Sequence, residues 1–134
     1  MRQRVSVIII KDKKLLLVKG KEGFYSNFYF TPGGKTEEGE TDLNAITREC
    51  NEELGIVPIS AKPYLAYDSL IQGTEEKQHV SCYIVDSFQN EITVNNEVTE
   101  VFWYGQEDYE IKSPKIADSI YNNLIPALIK DNLI

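Results

Sequence analysis

Residues 41–55, TDLNAITRECNEELG, read as a helix whose two ends are both specified by the chain itself. The Thr41 hydroxyl can cap the first turn, Asp42 suits the positive end of the helix, and Gly55 can adopt the left-handed conformation that stops it. At about 100° per residue, Leu43, Ile46, Cys50 and Leu54 fall on one narrow arc, the stripe expected to face a core. Glu49, Glu52 and Glu53 fall on the neighbouring arc, in the last two turns. That is the wrong end for acids. The unpaired carbonyls there already carry partial negative charge, and residues three and four apart repel one another, each effect costing about 0.3–1 kcal/mol. Arg48 can relieve part of the strain by reaching Glu52 one turn on. A divalent cation would reverse both penalties, and oxygen ligands grouped without His or Cys suit Mg²⁺, with Mn²⁺ as a substitute.

The rest of the chain reads as strands with a second helix. RVSVIII and LLLV flank the polar KDKK turn, the pattern of a hairpin, and both runs are apolar enough for a sheet covered on two faces. An aromatic loop, GFYSNFYF, leads to TPGG, where Pro32 and Gly33 can take the second and third positions of a tight turn. Further strands are expected around Tyr64 to Ser69, in HVSCYIV and in VTEVFWY, with FQNEITVNNE as a hairpin or an irregular connection. Ser113 as cap and Pro114 at the first position predict a final helix carrying Ile116, Ile120 and Leu124 on one side, and Pro126 should kink or divide it. Strands mixed with two helices predict a single α/β domain over residues 1–134, each helix covering one face of the sheet.

Composition limits the function. A net charge of −7 argues against a dedicated nucleic-acid surface or an anionic-membrane surface, because both draw their affinity from a positive field. Residues 1–21 are the exception, with Arg2, Arg4, Lys11, Lys13, Lys14, Lys19 and Lys21 against Asp12, and most of these read as solvated strand ends and a turn. Cys50 and Cys82 have neither metal-ligand spacing nor a disulfide framework and read as buried thiols in a reducing compartment. No segment approaches a membrane span, and the N-terminal apolar run is interrupted by Lys11, so the expected location is the cytoplasm.

One segment is more specific than any of these patterns. Residues 34–56, GKTEEGETDLNAITRECNEELGI, resemble the signature of the Nudix hydrolases: Gly, five residues, Glu, seven residues, then Arg-Glu-U-x-Glu-Glu-x-Gly-U with U apolar. Gly34, Glu40, Arg48, Glu49, Cys50, Glu52, Glu53, Gly55 and Ile56 fill every defined position. Cys50 stands where an aliphatic residue is commoner, and as a small hydrophobe it can pack in the same way. The hairpin, the aromatic before PGG and the strand ending near Trp103 extend the likeness over most of the chain.

The resemblance implies an α/β/α sandwich around a central mixed β-sheet and Mg²⁺-dependent hydrolysis of a nucleoside diphosphate linked to another group. It assigns the metal to Glu49, Glu52, Glu53 and the Gly34 carbonyl, with Arg48 orienting the glutamates and Glu40 supporting the loop. Glu97 lies where some relatives carry a further ligand or base; a solvated loop acid is the alternative, and Glu100 is held in reserve as a strand residue. Glu49, Glu53 and Glu97 are the candidates for the proton acceptor. Lys19 is a candidate for the substrate phosphates or else a solvated strand-end lysine. Tyr29, with Phe24, Tyr25 and Phe28, could stack on a base, and Gly33 and Gly34 would line the substrate. His79, Trp103 and Tyr104 read as structural. The family's markers for ADP-ribose and dinucleoside polyphosphate substrates are missing around Ile71 to Thr74, which leaves a small enzyme resembling those that act on nucleoside triphosphates. A nucleotide-sensing module and an RNA-end pyrophosphohydrolase are the rival readings. The expected partners are a small nucleotide and, in a homodimer, a second copy of the chain.

Overall fold

A computed structural model describes residues 1–134. Eight strands are arranged in two four-stranded sheets. The first sheet runs β5 (Gly33–Lys35), β1 (Arg2–Ile8), β7 (Lys77–Gln89), β6 (Val57–Leu70). Its central pair β1 and β7 is parallel and its other pairings are antiparallel, so the sheet is mixed. The second is built on β3 (Lys14–Gly20), which takes β2 (Ile10–Lys11) and β4 (Tyr29–Phe30) along one edge and β8 (Val98–Tyr104) along the other. The hairpin expected between RVSVIII and LLLV forms only in part: Arg2–Ile8 pairs with β5 and β7 in the first sheet, and only Ile10–Lys11 pairs with β3, turning through Asp12 and Lys13, both at positive φ, within the KDKK segment.

Two separate cores follow from strand alternation. Val5, Val7, Leu16 and Val18 face one side, where they pack with Ala45, Ile46, Cys50 and Leu54 of the first helix. Ile8, Leu15 and Leu17 face the other, against Ile120, Leu124, Ile125 and Leu128 near the C-terminus. Helix, sheet and helix therefore form the expected sandwich, each helical layer burying one face.

Four further local expectations need correction. The first helix is α-helical only over α1 (Asp42–Glu49), with the Thr41 hydroxyl accepting from the Asn44 N–H at 3.1 Å, and continues as a wider π turn over Cys50–Leu54 before Gly55. Leu43, placed on the core stripe by the wheel, is 52% exposed, and the buried positions are Ala45, Ile46, Glu49, Cys50, Glu53 and Leu54. A short helix, α2 (Gln106–Ile111), follows β8; its start is marked by the Asp108 carboxylate accepting from the Gly105 N–H at 2.8 Å. The C-terminal helix does not begin at Pro114. The Lys115 carbonyl accepts from the Tyr29 N–H and the Ala117 N–H donates to the Tyr29 carbonyl, so this backbone is committed to β4. Helical winding starts beyond it, at Asp118, and passes through a π turn over Ile120–Leu124 into α3 (Ile125–Lys130), with Pro126 in the first turn of α3.

No helix is long and apolar enough to cross a membrane. Leu16, fully buried at the centre of the α1-side core, tests the packing. Leu16→Ala should lower the unfolding free energy by about 2–5 kcal/mol, the range for a large-to-small change in a core, read from urea melts.

Candidate active site

The signature residues of the 34–56 segment, hereafter the box, converge because a loop folds back on the end of α1. Arg48 is the organiser. Its Nε and Nη2 grip the two oxygens of Glu40 at 2.8 and 2.9 Å, its Nη1 reaches Glu49 Oε1 at 2.8 Å, and Nη2 also donates to the Lys35 carbonyl at 3.2 Å. Its contact with Glu52 is longer, 3.5 Å. The pairing expected between Arg48 and Glu52 is thus secondary to a bidentate grip on Glu40, which in turn accepts from the Glu37 N–H at 2.9 Å. The Arg48 guanidinium holds the Glu40 carboxyl well down, to about 2.

Two of the three helix-end acids are buried. Glu49 is 7% and Glu53 8% exposed, whereas Glu52 faces solvent. Glu53 Oε1 accepts from the Gly33 N–H at 2.8 Å, and Glu49 lies against Gly34. Both glycines are required by these approaches. A Cβ on Gly33 would stand 2.1 Å from the Val5 carbonyl oxygen, at a φ of +141°, and one on Gly34 would stand 2.6 Å from Glu49 Oε1. Burial raises the Glu49 carboxyl above its ordinary value against the opposing pull of Arg48. For Glu53 burial dominates, and with no cationic side chain bonded to it the group is pushed up to about 7.

The helix end itself is satisfied from the far side of the sequence. The Thr93 and Asn95 N–H groups donate to the carbonyls of Leu54 and Glu53 at 2.9 and 3.0 Å, and Asn96 Nδ2 donates to the Glu52 carbonyl at 2.8 Å. This loop supplies the caps that a helix terminus needs. It also brings Glu97 beside the box, where its carbonyl accepts from the Lys21 N–H at 2.8 Å.

Gly33, Gly34, Glu49, Glu52, Glu53 and Glu97 line one open cleft of about 1120 Å³. Lys19 and Tyr29 do not. Lys19 stays on the Leu15–Leu17 side of β3, with Nζ 5.1 Å from the centroid of the Tyr29 ring, while a bulge at Lys19/Gly20 turns the following residues toward the cleft. The Tyr29 hydroxyl donates to Glu100 Oε2 at 2.7 Å, giving Glu100 a structural task. Sequence reasoning passed over Arg2, Arg4 and Phe30, which line the cleft. Their signal was strand alternation: Arg2, Arg4 and Ser6 share one face of β1.

The fit to a divalent cation rests on the donor set. No three His, Cys, Asp or Glu side chains meet closely enough to hold an ion in common as they stand. Yet Glu49 and Glu53 each engage only Oε1 and leave Oε2 without a hydrogen bond, two hard oxygen donors on buried side chains that stay open to the cleft, with Glu52 beside them.

The sequence profile of the NUDIX domain matches residues 1–128. The chain belongs to the Nudix hydrolases. Among Nudix relatives, it is 31% identical over 102 residues to the ADP-ribose pyrophosphatase of Methanocaldococcus jannaschii, a match covering 75% of this chain and 59% of that protein. It is 31% identical over 121 residues to the nucleoside triphosphatase NudI of Escherichia fergusonii, covering 81% of this chain and 86% of that one. The Nudix fold is shared with the solution structure of the E. coli ORF135 protein, at a TM-score of 0.77 and 25% identity over 98% of this chain and 92% of the other.

The buried Glu53 makes stability depend on pH. Its folded value of about 7 lies above the ordinary 4.5, so the native state holds a proton that the unfolded chain has released. Stability from this group is therefore full below about 4.5 and is lost as pH rises through about 7, about 3 kcal/mol in all. Urea melts in chelator at pH 5 and pH 8 should show that loss in the wild type and a much smaller one in Glu53→Gln. Equal losses would refute the assignment.

Proposed function

We infer that this chain is a divalent-metal-dependent pyrophosphohydrolase cutting the phosphoanhydride of a small nucleotide, with nucleoside triphosphates as the leading substrate class. The observation that carries this reading is the buried Glu49–Glu53 pair with its free oxygens at the floor of an open cleft. Mg²⁺, or Mn²⁺ in its place, would be held by Glu49, Glu52 and Glu53, with the Gly34 carbonyl and Glu97 as further donors. When bound there, such an ion neutralises phosphate oxygens and lowers the pKa of water toward about 7, so that an ordinary carboxylate suffices as base.

The chain's own residues do the rest. Arg48 holds Glu49 in place and keeps the 35–40 loop on the helix. The Gly33 N–H fixes Glu53. Glu49, Glu53 and Glu97, all at the cleft, would be the carboxylates to take a proton from attacking water. The nucleobase would lodge in a neighbouring hollow where Tyr25, Phe28 and Phe30 pack with ring centroids 5.7–6.0 Å apart, beside Gln72 and Gln78. Tyr25 and Phe28 would keep the stacking part that the sequence offered them, and Phe30 would take the place of Tyr29. Triphosphates are preferred over ADP-ribose because the match to the triphosphatase spans 86% of that protein, against 59% for the ADP-ribose enzyme.

A nucleotide panel with Mg²⁺, including ordinary and oxidised triphosphates, sugar nucleotides and ADP-ribose, should release nucleoside monophosphate and pyrophosphate from a triphosphate. Tight binding with no product would support the sensor reading instead. Glu53→Gln should cut kcat by at least about 10²-fold while folding normally. Mg²⁺ should raise the Tm of the wild type more than that of this variant; equal shifts would place the ion elsewhere.

A further inference from the structure

Arg4 is a charged side chain that forms no ion pair. It is half-buried on β1, in a chain of net charge −7, and makes one hydrogen bond, from Nη2 to the Thr31 carbonyl at 3.0 Å. No carboxylate lies within ion-pairing distance of it, although Glu49, Glu52, Glu53 and Glu97 line the same cleft. Thr31 is itself buried and hydrogen-bonded to the Ser6 hydroxyl, so the anchor for the guanidinium is rigid. Arg2, two residues earlier and on the same face of the strand, is exposed and likewise unpaired.

Their position is the second observation. The acid-floored cleft and the aromatic hollow are adjacent, and the residues common to both are Arg2, Arg4, Tyr25 and Phe30. Anything reaching from a base in the hollow to a diphosphate over Glu49 and Glu53 must pass these four. The two rings offer apolar faces; the two arginines offer planar forks matched to phosphate oxygens. An arginine held near acids but not on them supplies a positive wall opposite a negative floor.

We propose that Arg4, assisted by Arg2, is the phosphate-binding residue at the junction of the two compartments, gripping the phosphate that joins the nucleoside to the scissile anhydride. This deepens the hydrolase reading above and rests on it. Because the grip is on a group present before and during reaction, its loss should appear mainly in binding.

The test compares Arg4→Gln, Arg4→Lys and Arg2→Gln with Lys14→Gln, an exposed lysine outside both compartments, as control. Binding of inorganic tripolyphosphate with Mg²⁺ is measured by calorimetry, which needs no knowledge of the base, and KM and kcat are measured on the best triphosphate of the panel. Arg4→Gln should weaken tripolyphosphate and raise KM roughly ten- to hundredfold with kcat within about threefold; Arg4→Lys should recover part of this, and Lys14→Gln should change neither. Arg2→Gln, which removes no internal hydrogen bond, should raise KM by about two- to tenfold and covers the case in which Arg4→Gln does not fold. An active wild type whose KM and tripolyphosphate affinity survive both Gln substitutions would overturn the assignment and leave the hydrolase intact. A wild type that neither binds nor cleaves any triphosphate would overturn both.

Discussion

Two carboxylates buried at the negative end of a helix are the constraint around which this molecule is built. Glu49 and Glu53 lose hydration, face the helix dipole and repel each other, and burial drives both toward the protonated form. A chain selected only for stability would place apolar residues there. Their retention in the interior is intelligible where an active site needs charge to be poised for a ligand.

The surrounding structure offsets the cost with a particular division of labour. Arg48 compensates Glu49 and is itself locked by a bidentate grip on Glu40. Glu53 receives a backbone N–H from Gly33, which only a residue without a Cβ can present so close to Val5. The remaining liability, the open carbonyls of the helix end, is met by the 93–96 loop. That same loop delivers Glu97, so the device that caps the helix also completes the acidic floor.

What could be read from residue order alone was governed by local rules. The β2–β3 hairpin, the α1 cap at Thr41, the strands near Tyr64–Ser69, His79–Val85 and Val98–Tyr104, and the two-layered covering of the sheet all follow from alternation, turn chemistry and capping, and all are present. The misreadings share a different cause. The π turn over Cys50–Leu54 departs from a 100° wheel only within itself, where Glu53 lies buried; Leu43 and Glu49 precede it on α1, and their exposure and burial follow from what packs against the helix, Gly34 of β5 lying against Glu49. Lys115 and Ala117 are held by Tyr29, far away in sequence, which overrides the helix-start signal at Pro114. Arg2 and Arg4 looked like solvated strand ends because the walls that make them part of a site come from Tyr25, Phe30 and the box.

The order of residues by itself determined the kinds of chemistry present: hard oxygen donors spaced along one helix, an arginine beside them, and glycines where the backbone must come close. Tertiary structure decided which of those groups meet. It buried Glu49 and Glu53 but left Glu52 outside, drew Glu97 in from another loop, kept the paired Lys19 and Tyr29 out of the cleft, and set Arg4 unpaired between two compartments. The physical reason is that donor type and helical spacing are local properties of the chain, whereas burial and proximity are set by long-range packing, which no single segment encodes.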